Sequence, residues 1–66
     1  MKGTIKTILP FKGFGFIKRE DEQKDLYFHW SKTLDDFYYL KAGDIVEFEI
    51  EKTDKGLQAV DVTSIF

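Results

Sequence analysis

The chain has 66 residues, no cysteine, one histidine and a net charge of −2. That length holds one domain at most, with a thin core, no disulfide or thiolate metal site to brace it, and no room for a large enclosed cofactor pocket. No stretch approaches the roughly 20 apolar residues that cross a bilayer, and the opening residues lack the apolar core of a signal peptide; the expectation is one domain over residues 1–66, cytoplasmic and monomeric, with no membrane partner and no cofactor.

Gly3, Pro10, Gly13, Gly15, Gly43 and Gly56 punctuate the chain too often for long helices, and the runs between them are rich in β-branched and aromatic residues. Five strands are predicted, at residues 2–9, 14–18, 26–29, 45–51 and 57–64. Between the first two, Phe11 reads as a loop anchor tucked against the body of the domain. Residues 20–24 form a short polar hairpin loop, and residues 53–56 a tight turn in which Gly56 supplies the positive φ. The long link, residues 30–44, has room for a single turn starting at Ser31, a candidate N-cap. Several short strands and one long link predict an all-β fold, a small five-stranded Greek-key barrel.

The fourth strand alternates cleanly, with Val46, Phe48 and Ile50 on one face and Glu47, Glu49 and Glu51 on the other. On the fifth, Val60 and Val62 share a face opposite Asp61 and Thr63. The middle strands break the rule. Phe14 and Phe16 share a face with Lys18, opposite Gly15 and Ile17; Tyr27 and His29 share a face, opposite Leu26 and Phe28. Both faces are therefore apolar or aromatic, yet a small closed barrel has a single side-chain-filled interior. The polar tips of Tyr27 and His29, and the charge on Lys18, assign their face to solvent or a ligand. Leu26, Phe28, Ile17, Val46, Phe48 and Ile50 then fill the core, and an aromatic patch of Phe14, Phe16, Tyr27 and His29 stands outside.

Charge is distributed unevenly. Lys2, Lys6, Lys12, Lys18 and Arg19 occupy the first 19 residues with no acid among them, whereas residues 34–66 carry three lysines against eight acids. Such asymmetry puts a basic fringe beside the aromatic patch, although on charge alone chance clustering on a solubilising surface is the plainer reading.

Lys12-Gly13-Phe14-Gly15-Phe16-Ile17 matches most of the RNA-binding pattern [KR]-G-[FY]-[GA]-F-V. Alternating phenylalanines offer flat faces to bases, and glycines remove side chains that would obstruct a base or backbone. The aromatic that ends that pattern is Arg19 here, and the chain is too short for the two helices of the RNA-recognition-motif fold. The motif followed by Leu26-Tyr27-Phe28-His29-Trp30 resembles the cold-shock domain family, and the resemblance extends over nearly the whole chain, including Lys2-Gly3-Thr4-Ile5-Lys6, residues 40–48 and residues 55–62. It implies an oligonucleotide-binding (OB) type barrel that binds single-stranded RNA or DNA, as an RNA chaperone or a modulator of transcription or translation. Carried over position by position, it implies Lys6, Phe14, Phe16, Tyr27, His29, Trp30 and the loop residue Phe37 as binding residues, with Lys12 guiding the backbone. The family's first strand usually continues with an exposed tryptophan where this chain has Thr7, so one stacking platform is missing; Pro10-Phe11 replaces a polar pair, and Tyr38 and Tyr39 add aromatics beside Phe37.

Plainer readings compete. Phe14 and Phe16 taken alone would be core residues, and Trp30 and Phe37 could fold back to shield the barrel edge. Tyr38 and Tyr39 are equally open to either role. His29 has no second ligand-type residue at metal-binding spacing, and neither His29 with Ser31 nor Asp35-Asp36 makes a catalytic constellation, so no enzyme is expected. The rival from another class is an SH3-like barrel taking proline-rich peptide through the same aromatics, against which the lysines of the patch argue.

Overall fold

The computed structural model describes residues 1–65. Five strands, β1 (Lys2–Leu9), β2 (Phe14–Lys18), β3 (Leu26–His29), β4 (Ile45–Thr53) and β5 (Gly56–Ser64), close into a barrel in the order β1-β2-β3-β5-β4. All neighbours run antiparallel except β3 and β5, which pair in parallel through Tyr27↔Gln58 and Phe28↔Ala59. The long link makes that parallel step possible, carrying the chain from the end of β3 across to β4.

Cross-strand register separates inside from outside row by row. Gly15 pairs with Ile8 on one side and Phe28 on the other, and Ile17 with Ile5 and Leu26. These rows point inward: Ile5, Ile17, Leu26 and Phe28 are at most 2% exposed. With Val46, Phe48, Ala59, Val62, Phe37 and Leu40 they make one core, against which Ile8 and Ile50 pack half-buried. The alternate rows, Leu9↔Phe14↔His29 and Thr7↔Phe16↔Tyr27, point outward.

Two bulges adjust this pattern. In β1 the register slips between Ile5 and Thr7, so Lys6 and Thr7 together oppose Phe16. In β5 a slip opposite Glu47 and Glu49 coincides with Asp61 at φ 53°, left-handed backbone that aspartate tolerates better than most side chains. The bulge corrects the expected alternation of β5. Ala59 and Val62 are the buried pair, and Val60 is only half-buried.

The long link contains two single 3-10 turns, Trp30–Lys32 and Phe37–Tyr39. The first begins one residue before the expected Ser31, and its cap is His29, whose Nδ1 accepts from Ser31 N at 3.2 Å. Asp36 caps the second, accepting from Tyr38 N at 3.0 Å. Asp35 ties the link to β5 by accepting from Ser64 N at 2.6 Å and Thr63 Oγ1 at 3.0 Å. Thus anchored, the link sends Phe37 and Leu40 into the core, each 4% exposed.

Candidate nucleic-acid interface

The outward rows of β2 and β3 hold three aromatic rings in mutual contact. Phe14 and Phe16 meet edge to face with centroids 5.8 Å apart, Phe14 and Tyr27 lie 5.6 Å apart at 36°, and Phe16 and Tyr27 lie 6.1 Å apart at 68°. Pairs of this kind add about 0.5–1.5 kcal/mol beyond area burial, which holds the rings in place while each remains half-exposed. His29 continues the row from Phe14, and its ring lies 5.6 Å from that of Trp30, which is 55% exposed. The result is a ribbon of flat faces over two adjacent strands, ending in the 3-10 turn that carries Trp30.

Glycine makes this geometry possible, by a different route from the one expected. A Cβ on Gly15 would sit 2.7 Å from the Thr7 carbonyl oxygen and 2.8 Å from Cε1 of Phe28, closer than real Cβ contacts come. A Cβ on Gly13, at φ 77°, would sit 2.7 Å from Cδ1 of Trp30. Both glycines therefore make room for the protein's own aromatics: Phe28 below the sheet and Trp30 at its end.

The lysines flank the ribbon. Lys6, in the β1 bulge, stands opposite Phe16 and pairs with Asp25 at 3.0 Å. This exposed ion pair contributes at most about 1 kcal/mol and is readily exchanged for another anion. Lys12 lies exposed in the β1–β2 turn, and Lys18 at the far end of β2. Arg19 falls on the inward-facing parity of β2, its side chain 16% exposed and 3.9 Å from Glu22, so it does not join them. Glu47 and Glu49 of β4 lie away from the ribbon, since β4 is strand-paired with β1 and β5 and with neither β2 nor β3, while Glu51 reaches Gln58 beside Tyr27.

Of the residues expected at the site, Lys6, Lys12, Phe14, Phe16, Tyr27, His29 and Trp30 lie on this surface. Phe37 does not. It is 4% exposed with its ring 5.9 Å from Phe28, so it has no free face to offer a base, while its neighbours Tyr38 and Tyr39 are 72% and 78% exposed. Phe11, expected to tuck in, is fully exposed. Asp25 beside Lys6 and Gln58 beside Tyr27 also border the ribbon, and Gln58 is held by Glu51 at 2.9 Å. An open cavity of about 580 Å³ lies between Tyr27 and the β4–β5 hairpin, lined also by Thr53, Lys55 and Leu57. The sequence hid these neighbours because they come from strand pairing distant in the chain.

His29 Nδ1 lies 2.8 Å from Ser31 Oγ, but this contact belongs to the turn cap. Among the described residues no three His, Cys, Asp or Glu side chains are grouped to hold a metal ion, and no helix is long and apolar enough to cross a membrane.

A closed five-stranded barrel of OB type, with aromatic rings displayed on β2 and β3 and lysines at their margins, defines a class of oligonucleotide-binding domains. Residues 1–65 match the model of the 'Cold-shock' DNA-binding domain, and the chain belongs to that family, whose members bind nucleic acid and are not enzymes. It is 44% identical over 63 residues to a cold shock-like protein of Thermotoga maritima, covering 94% of each chain. It is 44% identical to the cold shock-like protein CspC of Escherichia coli strain K12, over 98% of this chain and 96% of that one. Among solved structures, drosophila Unr CSD456 superimposes with a TM-score of 0.82 at 31% identity, over 98% of this chain and 26% of that chain. The SH3-like alternative is thereby set aside.

Proposed function

We propose that this protein binds single-stranded RNA and DNA by stacking successive bases on Phe14, Phe16, Tyr27, His29 and Trp30, with Lys6 and Lys12 meeting the phosphates. The observation that carries the reading is the half-exposed cluster of Phe14, Phe16 and Tyr27 on the solvent side of a barrel whose core is already complete without them. Stacking on aromatic faces is tolerant of sequence and contributes about 1–3 kcal/mol per base. A surface of this kind favours unpaired bases over duplex, because only an unstacked base has both faces free. The protein accordingly acts in the cytoplasm as a monomeric chaperone of RNA single strands or a modulator of their transcription and translation, and residues 1–66 act as one domain without a cofactor.

Trp30 is the only tryptophan, which makes it an internal reporter. Titration with oligothymidylate and oligouridylate should quench its fluorescence in a saturable way, and a proline-rich peptide should leave it unchanged. Quenching by the peptide and not by the oligonucleotides would overturn the proposal.

A further inference from the structure

Phe11 is the most exposed large apolar side chain of the described residues, at 105% of its reference area. Nothing in the fold covers it, so neither core packing nor edge shielding accounts for a phenylalanine here. Isolated exposed apolar residues are ordinary on protein surfaces. The surroundings of this one are not ordinary.

The turn that carries Phe11 is closed by backbone hydrogen bonds. Leu9 O accepts from Lys12 N at 3.0 Å and from Gly13 N at 2.9 Å, closing the chain tightly around Pro10 and Phe11. Pro10 has its φ fixed by its ring, in the first corner position that favours proline. Gly13 takes φ 77° to bring the chain back into β2. The turn is also joined to the end of the aromatic ribbon. Gly13 O accepts from Trp30 N at 3.0 Å, and the Trp30 ring lies so close over the Gly13 Cα that a methyl group there would meet it at 2.7 Å. Phe11, Trp30 and His29 are therefore presented by one connected piece of backbone, with the exposed Lys12 next to Phe11.

We infer that Phe11 is an additional base-stacking subsite at the loop end of the barrel. It receives the nucleobase that follows the one on Trp30 as a single strand leaves the ribbon, while Lys12 meets the intervening phosphate. The occupant is a strand already bound to the ribbon, so the inference rests on the proposed function. Continuity with that surface, an adjacent positive charge and a backbone fixed by the hydrogen bonds of the turn carry it. A turn whose backbone is already ordered adds no loop-ordering cost on binding, so only the side-chain freedom of Phe11 is lost. The subsite lengthens the binding surface at the opposite end from Thr7, which opposes Phe16 rather than Phe14.

The test is a length series of oligothymidylates, from about four nucleotides upward, against wild type, Phe11→Ala and Phe14→Ala. Phe11 packs against nothing, so Phe11→Ala keeps the fold, which circular dichroism verifies. The expected result is that wild type and Phe11→Ala bind the shortest strands equally. Affinity of Phe11→Ala then stops rising one nucleotide sooner and levels off about five- to tenfold weaker, the low end for one stack. A second readout uses Phe11→Trp combined with Trp30→Phe, whose indole is quenched by long strands and not by the shortest. Equal affinity of wild type and Phe11→Ala at every length overturns the inference, even where Phe11→Ala changes self-association instead. Failure of the proposed function is read separately. There, wild type binds no strand of any length, or Phe14→Ala binds all of them as wild type does.

Discussion

The ring of Phe37 lies inside the barrel against Phe28, centroids 5.9 Å apart at 57°, although it comes from a loop that otherwise displays Tyr38 and Tyr39 to solvent. One 3-10 turn separates the two fates, and Asp36, as its cap, sets the phase. Stability therefore depends on Phe37 more than on Tyr38, whose exposed ring meets it edge to face, or on Tyr39. Phe37→Leu is expected to lower unfolding free energy by about 1–2 kcal/mol, less than the ~3–5 kcal/mol typical of Phe→Ala in a core. In a domain of this size each kcal/mol shifts the thermal midpoint by about 4–8 °C. Tyr39→Ser should stay within about 0.5 kcal/mol of wild type, and Tyr38→Ser, whose ring meets that of Phe37 edge to face at 5.7 Å, should lose no more than about 1 kcal/mol. Urea titration of the three variants checks the assignment; a tyrosine variant as unstable as Phe37→Leu would contradict it.

Gly15 provides a second test of which side of the sheet is which. Its missing Cβ leaves room for the Phe28 ring and the Thr7 carbonyl, both on the protein side. Gly15→Ala should cost about 1–3 kcal/mol of stability, the usual range for overpacking. Affinity per folded molecule should hardly change at a temperature where the variant is folded. Full stability with lost affinity would mean that Gly15 faces the ligand.

Much of this architecture is legible in the sequence, and what is not has identifiable causes. Five strands fall within two residues of their expected bounds, because glycine and proline mark the ends and the β-branched runs lie between. The outward placement of Phe14, Phe16, Tyr27 and His29 follows from alternation combined with the polar tips of Tyr27 and His29. Alternation fails where a bulge adds a residue, as at Asp61, since nothing in Val60-Asp61-Val62 announces the extra step. Phe37 and Phe11 are misassigned for a related reason. In loops no period relates position to direction, so burial depends on anchors such as Asp35 on β5, which only tertiary pairing reveals.

Phe14→Ala and Phe16→Ala measure the ribbon directly. Each removes one face from a cluster in which every ring touches the other two. Each should weaken single-strand binding by about 1–3 kcal/mol. Stability should fall by no more than about 0.5–1.5 kcal/mol per lost ring pair, because no core cavity opens. Fluorescence titration paired with thermal melting separates the two effects. A variant that unfolds while binding normally per folded molecule would invert the facing of β2.

Thr7 opposes Phe16 on the outer face, in the row that continues to Tyr27. In cold-shock domains an exposed tryptophan usually stands at this position, and threonine suits a strand but offers no face to a base. The Lys6 bulge matters here. By setting Lys6 and Thr7 together against Phe16, it turns the Thr7 side chain toward the ribbon and leaves Ile5 and Ile8 to the interior. Thr7→Trp should therefore extend the platform beside Phe16 and strengthen binding by about 1 kcal/mol, the low end for a stack because the neighbours are not shaped around an indole. The thermal midpoint should hardly move, since an outward position has space for the larger side chain. Oligonucleotide affinity and melting of the two proteins, measured side by side, decide the matter. A large loss of stability would show Thr7 pointing inward and the bulge misplaced. Unchanged affinity with unchanged stability would show that the surface beside Phe16 is not reached by bound bases, and that the strand runs instead from Tyr27 toward Trp30.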